Sequence, residues 1–380
     1  MNAMTRSFLG VLLIAAAAHA GAAEDLQQTW DKGAKALLGL QKADGSWGFG
    51  PAEAPGDVAA TSLAVAGLAG NPAGRKACQA QIDKAVEYIL KNQGKNGEIH
   101  NEGQTPLLTN YKTSLAVMAL VEADPVKYKP QIDRAAAWLQ SFQYQEKGAQ
   151  QADPNDPNYG GAGYDEKKNQ PRGDLSNTHF MLEALDAAQV PKDSAVWARA
   201  VKFVERCQNR SESNDGPGFD KLGVVVGDDG GFFYRPGESK AEKATLPNGK
   251  ETFRSYGSMT YAGYKSLIHA GLTKDDPRVK AAKAWIAKNY TLDENPGMGA
   301  KGLFYYYHAF AAAMAAGGEA ELVDADGQKH LWANELVAKL KGMQKEDGSW
   351  SGDARWMEDI PPLPTMYSLV VLNKASKFVK

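Results

Sequence analysis

The sequence has few cysteines and no excess of charge of either sign. Its 380 residues include 2 Cys, 43 Lys or Arg and 45 Asp or Glu, for a formal net charge of -2. A single cysteine pair is no disulfide framework, and Cys78 and Cys207 lack the spacing of a structural zinc site. Without a basic block, the chain has no electrostatic footprint for nucleic acid. We therefore expect no metal, no cofactor and no nucleic-acid partner.

Long apolar runs are also missing, with one exception at the N-terminus. Arg6 precedes an apolar segment from Phe8 to Ala18, and small residues follow. A basic start, a short apolar core and small residues are typical of a secretory signal peptide. The segment is short for a bilayer span, and an uncleaved anchor is the alternative. We expect residues 1–23 to direct export, which leaves a secreted or periplasmic protein without a stable membrane span.

The rest of the chain repeats one pattern. A basic and a small residue, as in Arg134-Ala135, precede an aromatic-aliphatic pair, as in Trp138-Leu139, and then Gln143. The six anchor positions, in chain order, are Gln41, Gln93, Gln143, Gln208, Tyr290 and Gln344. The third and fourth intervals are longer than the others, which indicates insertions at 146–173 and 209–254.

Each repeat predicts two helices of different character. The first is amphipathic, with apolar residues at helical spacing between 132 and 142. The second is apolar or small nearly all round, as at 58–69 and 304–316, and such a helix is buried. Alternating half-exposed and buried helices predict an all-α domain over 24–380, with an outer ring around an inner ring. An open superhelix is the alternative, although its inner helices would show a polar face.

A turn of defined chemistry joins the two helices. It is clearest from Gln41 to Trp47 and from Gln344 to Trp350, where Asp-Gly follows the helix. Glycine tolerates the positive φ that ends many helices. We expect the Gln amide to bind carbonyl groups left free at the helix end, and the Trp ring to cover that end. A second Asp-Gly pair, Asp229-Gly230, predicts a tight hairpin inside the second insertion.

The repeat is similar to the QW motif of squalene–hopene and oxidosqualene cyclases. Gln41, Gly45 and Trp47 match its second half, as do Gln344, Gly348 and Trp350. The resemblance covers nearly the whole mature chain and implies a double ring of six helical hairpins, the (α/α)6 toroid of terpenoid cyclases and protein prenyltransferases. The chain departs from these families at their chemistry. It lacks the Asp-x-Asp-Asp run of the cyclases, the zinc ligands of the prenyltransferases and the Cys-Gly-Glu-Gln run of thioester toroids.

The resemblance also implies a pocket where the inner helices begin, bordered by both insertions. Polar and aromatic residues concentrate at these positions, which is the strongest signal of a site in the sequence. The catalytic candidates are Asp57, Asp174, His179 and His308, and the ligand-binding candidates are Tyr111, Asn177, Tyr256, Tyr261, Tyr305, Tyr306 and Tyr367.

These candidates also have structural interpretations. Asp57 and Asp174 are suited to capping the helices that follow them. Both histidines lie on apolar helices, where a hydrogen-bonded core histidine is common. Tyr305 and Tyr306 are adjacent on a helix and cannot both face one pocket.

Three functions fit the sequence. The first is a cyclase-like or prenyltransferase-like protein that binds or processes an apolar, isoprenoid-like ligand. The second is a polysaccharide-active hydrolase or lyase on a similar toroid, which requires two carboxylates about 5 to 10 Å apart. The third is a non-catalytic binding or scaffold module. The missing acidic motif leaves open whether the protein is an enzyme.

Overall fold

The computed structural model describes residues 3–50, 53–103, 108–148, 150–164 and 172–380, with the backbone alone for 3–20. Helices dominate these ranges, and the mainly helical architecture expected from the sequence is confirmed. The helices are α1 (Ala3–Leu38), α2 (Val58–Ala69), α3 (Gln79–Lys91), α4 (Thr109–Ala123), α5 (Lys129–Phe142), α6 (Leu175–Ala187), α7 (Ala195–Arg206), α8 (Gly257–His269), α9 (Pro277–Lys288), α10 (Leu303–Gly317), α11 (Trp332–Met343) and α12 (Pro362–Ala375). Two short antiparallel hairpins pair β1 (Lys243–Thr245) with β2 (Glu251–Phe253) and β3 (Leu322–Val323) with β4 (Lys329–His330).

The even-numbered helices contact one another in a closed cycle. Each packs against the next, from α2 through α12, and α12 packs against α2. The odd-numbered helices lie outside this cycle; α3, for example, contacts α2 and α4. Burial follows the same division, because every residue of α2 except Ala66 is buried while α7 buries one face. The even-numbered helices are called the inner helices below.

A glutamine joins five of the six repeats to the following one. Nε2 of Gln41 donates to the carbonyl oxygen of Gly45 in its own turn and to that of Gln81 in α3, both at 2.9 Å. We call this pair of bonds the glutamine staple. The equivalent bonds to the next outer helix run from Gln93 to Gln131, from Gln143 to Val196, from Gln208 to Arg278, and from Gln344 back to Thr29 in α1.

The expected role of this glutamine was therefore wrong in one respect. Its amide does not bind the carbonyl groups at the end of its own helix. The Trp47 indole takes that place, because its Nε1 donates to the Leu37 carbonyl at 2.7 Å. Trp350 makes the same bond to Leu340 at 2.8 Å. Both tryptophans are fully buried over the helix ends that they follow, as the sequence predicts.

The fifth repeat uses a tyrosine for the same link. Tyr290 occupies the glutamine position, and its hydroxyl donates to Oε2 of Glu335 at 2.7 Å. Glu335 lies in the first turn of α11, the next outer helix. The tyrosine hydroxyl thus replaces the glutamine amide as the donor, and the Glu335 carboxylate replaces the backbone carbonyl as the acceptor. The hydrogen bond between neighbouring repeats is therefore kept.

The turn glycines approach the next outer helix closely. Gly45 has φ +86°, and a Cβ there would lie 2.6 Å from the carbonyl oxygen of Lys84 in α3. In the two repeats with insertions, Gly160 and Gly230 fill this position, because they accept the staple of Gln143 and Gln208. The hairpin predicted at Asp229-Gly230 was therefore wrong. Gly230 is the turn glycine of its repeat, and the hairpin of this insertion is formed by β1 and β2.

The first helix continues through the predicted cleavage region. It runs without interruption from Ala3 to Leu38, and its first buried side chain among those described is Leu26. Among the described helices, none combines the length and the apolar character needed to cross a membrane. Cleavage and export of the chain remain predictions.

Candidate functional site

A pocket with about 180 Å³ of free space lies where the inner helices begin. Its wall is formed by the first turns of inner helices, by both insertions and by the loop before α12. The lining residues are Tyr111, Tyr164, Ser176, Tyr234, Lys240, Tyr256, Ser258, Met259, Tyr305, Trp356, Glu358 and Tyr367. Seven of these twelve carry aromatic rings, and the space is called the aromatic pocket below.

The two insertions meet above this pocket. The hydroxyl of Tyr164, from the first insertion, shares a hydrogen bond of 3.0 Å with that of Tyr234, from the second. Nζ of Lys240 lies 4.5 Å from the centroid of the Tyr234 ring and pairs with Glu238. Asp165, at the end of the first insertion's glycine-rich segment, lies outside the described residues.

A chain of hydroxyl groups connects the pocket to the interior of the ring. Ser176 Oγ shares hydrogen bonds with the hydroxyls of Tyr111 and, at 2.7 Å, Tyr305. The Tyr305 hydroxyl also contacts Nε2 of His179 at 2.8 Å. Burial is the main cause that raises the pKa of Tyr111 and of Tyr305 well above the usual range. Both tyrosines are therefore neutral and can donate or accept hydrogen bonds.

Glu358 is the carboxyl group among the described lining residues. Its Oε1 accepts the backbone N–H of Tyr305 at 2.8 Å, at the N-terminus of α10. Its Oε2 is buried without a hydrogen-bond partner, and the residue is 1% exposed. Burial raises the pKa of Glu358 to about 7, although backbone N–H groups of α10 oppose this shift. Near neutral pH the group therefore exists in both protonation states.

Unusual backbone geometry surrounds this glutamate. Trp356 has φ 60° and ψ 30°, and Met357 has φ 68°, both in the left-handed region that non-glycine residues rarely adopt. The Trp356 ring packs on Gly302, where a Cβ would lie 2.8 Å from the ring. Such strained positions concentrate at binding and catalytic sites.

The two predicted aspartates cap inner helices. Asp57 accepts the backbone N–H of Ala59 at 2.7 Å and pairs with Nζ of Lys112 at 3.2 Å. Asp174 is completely buried and accepts the backbone and side-chain N–H groups of Asn177 at 2.8 and 2.9 Å. Burial raises the pKa of Asp174 to about 6, while the bonds from Asn177 oppose the shift. Neither aspartate lines the aromatic pocket.

The predicted histidines lie deeper in the ring. Burial is the main cause that lowers the pKa of His179 well below 6.5 and that of His308 to about 3, so both are neutral. His179 touches the pocket only through Tyr305. His308 lines a different cavity, at the opposite end of the ring. It lies one turn below Tyr305 along α10, so the two candidate histidines are not brought together at one pocket, and their catalytic role stays a prediction.

The predicted ligand-binding residues separate into two groups. Tyr111, Tyr256, Tyr305 and Tyr367 line the aromatic pocket. Asn177, Tyr261 and Tyr306 do not line it, and ligand binding by any of the seven stays a prediction. Asn177 is buried between Asp174 and Asn110. Tyr261 and Tyr306 pack against each other with ring centroids 5.7 Å apart, because Tyr306 faces away from Tyr305 on α10.

The sequence interpretation missed part of the site. Glu358 and Trp356 belong to a connecting segment whose length varies between repeats, so the repeat pattern gives them no position. Lys240 lies within the insertion at 209–254 but was not among the candidate residues. Tyr164 and Tyr234 lie within the insertion segments that the sequence singled out. No group of three or more potential metal-binding side chains occurs within the described parts of the chain.

Comparison with solved structures supports the fold. The chain is similar to the type II terpene cyclase MstE from Scytonema without ligand, with 13% identity, a TM-score of 0.54, and coverage of 93% of this chain and 98% of that chain. It is also similar to an MstE variant in complex with the substrate geranylgeranyl dihydroxybenzoate, with 13% identity, a TM-score of 0.53, and coverage of 94% and 99%. A glycosidase variant aligns with 14% identity, a TM-score of 0.50, and coverage of 94% and 98%. No family model matches the chain, and no curated protein matches it.

At this level of identity the likeness shows a fold and leaves the chemistry open. The chain has a fold like that of terpenoid cyclases. Because both a terpene cyclase and a glycosidase share it, the site must decide between the two functions.

Proposed function

We propose that the chain is an (α/α)6 toroid whose aromatic pocket binds an apolar, isoprenoid-like ligand. The observation that carries this proposal is the composition of the wall, in which seven of twelve lining residues are aromatic and one is a carboxylic acid. Aromatic rings offer large apolar faces, and those faces also attract positive charge. The apolar faces would pack against an isoprenoid chain. Their attraction for positive charge would stabilise a carbocation formed from that chain.

The polar groups of the wall are mostly engaged with one another. Ser176 is bonded to two tyrosines, and Tyr164 and Tyr234 are bonded together. A sugar requires many unpaired donors and acceptors, since each hydroxyl that loses water must find a partner. Glycoside hydrolysis also requires a second carboxyl group. Within the described lining, Glu358 has no carboxylate neighbour, which favours the apolar ligand.

Glu358 is our candidate for a proton donor. In its neutral form the carboxyl group can transfer its proton to a carbon–carbon double bond of the ligand, which leaves a cation facing the aromatic rings. Loss of a proton from a neighbouring carbon returns the acid to its neutral form, so atoms and charge balance over the cycle. A pKa of about 7 keeps a substantial neutral fraction at neutral pH, as a general acid requires.

Calorimetric titration with geranylgeraniol tests the binding. Ser258→Trp places a ring inside the pocket and should weaken binding at least about tenfold, or 1.4 kcal/mol. Ser211→Trp adds the same ring at an exposed position of the second insertion and should leave binding unchanged. Binding of cellotetraose in place of geranylgeraniol would favour the polysaccharide-active function, and binding of neither would favour the scaffold.

The catalytic role needs a separate test. Incubation with prenylated substrates, followed by mass spectrometry of the extracted products, measures conversion. Glu358→Gln keeps the size of the side chain and should preserve affinity while it abolishes conversion. Conversion at the wild-type rate by this variant would exclude Glu358 as the acid. Binding without conversion by the wild-type protein would reduce the proposal to a lipid-binding role.

A further inference from the structure

A second cavity lies at the opposite end of the ring. It holds about 580 Å³ of free space and is formed by the C-terminal halves of five inner helices, α2, α4, α6, α10 and α12. We call it the distal cavity. It shares no lining residue with the aromatic pocket, so the ring offers two separate binding spaces along one axis.

One wall of the distal cavity is apolar. Leu63 and Ala66 contribute from α2, Leu115 and Met118 from α4, and Val370 from α12. Between Leu115 and Glu122, α4 advances seven residues, so the wall is about 10 Å deep at the helical rise. Its depth suits a hydrocarbon chain.

The facing wall carries buried charge. Glu183 of α6 is 6% exposed and pairs with two ammonium groups, those of Lys265 and, at 2.8 Å, Lys374. The Lys265 side chain is fully buried, whereas 29% of the Lys374 side chain is accessible. One carboxylate between two ammonium groups leaves one positive charge within this cluster, and Lys374 presents it to the cavity.

The rim adds further positive charge. Arg75 and Lys377 line the cavity together with the acidic Glu122. Arg75 donates to the carbonyl oxygens of Glu122 and Ala123, which neutralises the end of α4. Lys377 is exposed and has no ion pair with any described residue. A negatively charged group that enters the cavity therefore passes one free lysine before it reaches Lys374.

Two buried polar atoms of the lining lack partners. Nδ1 of His308 and Oδ1 of Asn373 make no hydrogen bond, although their residues are 2% and 8% exposed. Buried polar atoms without partners are rare in folded proteins, and each calls for an explanation such as a bound water or ligand.

We propose that the distal cavity binds an amphiphile with one anionic head group and a hydrocarbon chain. The head lies against Lys374 and Lys377, and the chain lies along Leu63, Leu115 and Met118. This site is independent of the proposed function of the aromatic pocket, so either can fail while the other stands.

Calorimetric titration with decanoate, decanol and decylamine tests the proposal. Decanoate should bind, and decanol and decylamine should bind at least about tenfold more weakly, because they lack the charge-assisted contact. Lys374→Met keeps the apolar stem, and Lys377→Met is a milder change at an exposed position. Both should reduce the affinity for decanoate and leave the affinity for decanol unchanged. Circular dichroism and thermal melting establish that each variant is folded.

Two further variants locate the ligand. Ala66→Phe narrows the distal cavity and should abolish decanoate binding, whereas Ser258→Trp in the aromatic pocket should not affect it. The opposite pattern would place decanoate in the aromatic pocket and overturn the proposal. Equal affinities for the three probes, or no binding of decanoate to the wild-type protein, would also overturn it.

Discussion

At Glu358 two opposing effects act on one carboxyl group. The N-terminus of α10 favours the negative form, because its free N–H groups donate to the carboxylate. Burial disfavours the same form, and it prevails, since the pKa rises from 4.5 to about 7. The unpartnered Oε2 explains why, because hydrogen bonds reach only one of the two oxygens. The result is an acid whose pKa is raised mainly by burial, with a smaller contribution from the nearby Asp353 carboxylate.

This shift predicts a pH-dependent stability. A carboxyl group with a raised pKa stabilises the folded state below its unfolded value near 4.5, and that contribution is lost as pH rises through about 7. The full effect is on the order of 3 kcal/mol as an upper limit. Glu358→Gln removes the titration, so its melting temperature relative to wild type should increase between pH 5 and pH 8. Glu102→Gln, at an exposed site, should show no such trend, and an equal difference at both pH values would contradict the prediction.

Trp47 supports a second prediction at the residue scale. Its ring is fully buried, and its indole N–H holds the Leu37 carbonyl at the end of α1. Trp47→Ala should lower the free energy of unfolding by about 3 to 5 kcal/mol, since it leaves both a cavity and an unpaired carbonyl. Chemical denaturation measures this loss. Exposed Trp356 is the natural comparison, and Trp356→Ala should cost far less stability.

Residue positions were predictable where the repeat fixes them. Tyr111, Tyr256 and Tyr305 follow turns at constant places in the repeat, and the structure puts all three in the aromatic pocket. Glu358 was not predictable, because it reaches the pocket from a loop whose path depends on the left-handed backbone at Trp356 and Met357. Neither tryptophan nor methionine is typical of the left-handed conformation, so the sequence gives no sign of it.

At the scale of elements, the closing turn of the ring is tightly constrained. Gly348 has φ +86°, and a Cβ there would lie 2.4 Å from the carbonyl oxygen of Lys32 in α1. Gly348→Ala should therefore destabilise the protein by about 2 kcal/mol or more, through both backbone strain and steric overlap.

Gly342 provides a matched control for this change. It lies within α11, and a Cβ there would meet no atom within 4 Å. Gly342→Ala should stabilise the protein by about 0.5 to 1 kcal/mol, because alanine is the better helix former. Thermal melting of the two variants compares them directly. A loss of similar size in both would show that the close approach at Gly348 is unimportant.

The N-terminal helix supports a prediction about processing. Residues 1–23 precede Leu26, the first described buried side chain of α1. A signal peptide contributes nothing to the mature fold, so a protein that begins at Glu24 should keep the free energy of unfolding of the full chain to within about 0.5 kcal/mol. N-terminal sequencing of the exported protein should find a start near residue 24. A start at Met1 would identify an uncleaved anchor.

The repeat pattern predicted the helices better than the turns. Amphipathic and fully apolar segments identified the outer and inner helices, because burial determines their composition. The turn glycines of the third and fourth repeats escaped detection, since 17 and 22 residues separate Gln143 from Gly160 and Gln208 from Gly230. In both repeats an insertion separates the glutamine from the turn glycine. No local sequence pattern shows which glycine after the insertion completes the turn.

At the scale of the whole molecule, the ring closes with the same bonds that join neighbouring repeats. Gln344 donates to Thr29 as Gln41 donates to Gln81, both at 2.9 Å. Asp25 and Lys380 both lie beside α11. Asp25 pairs with Lys341 at 2.6 Å, and Asn334 Nδ2 donates to the Lys380 carbonyl at 2.9 Å. The ring therefore has no repeat that is structurally first.

Circular permutation tests this equivalence. A short Gly-Ser linker would join Lys380 to Glu24, and new ends would be opened between Asn248 and Gly249, in the exposed turn between β1 and β2. The permuted protein should fold and should keep most of its stability, since exposed loop tips tolerate new termini. Opening the chain instead at Gly45, inside a staple turn, should prevent cooperative unfolding. Equal melting of both permuted proteins would show that the staples do not hold the ring together.

The inner helices run in one direction along the ring, from the end that holds the aromatic pocket to the end that holds the distal cavity. Because each helix carries about half a positive charge at its start and half a negative charge at its end, the ring is an electric dipole along its axis. The acids Asp57, Asp174 and Glu358 lie at the positive end, and Arg75, Lys374 and Lys377 lie at the negative end. These side chains are opposite in charge to the helix ends beside them. An anionic ligand at the distal cavity therefore depends on the lysines, because the helix ends alone would repel it.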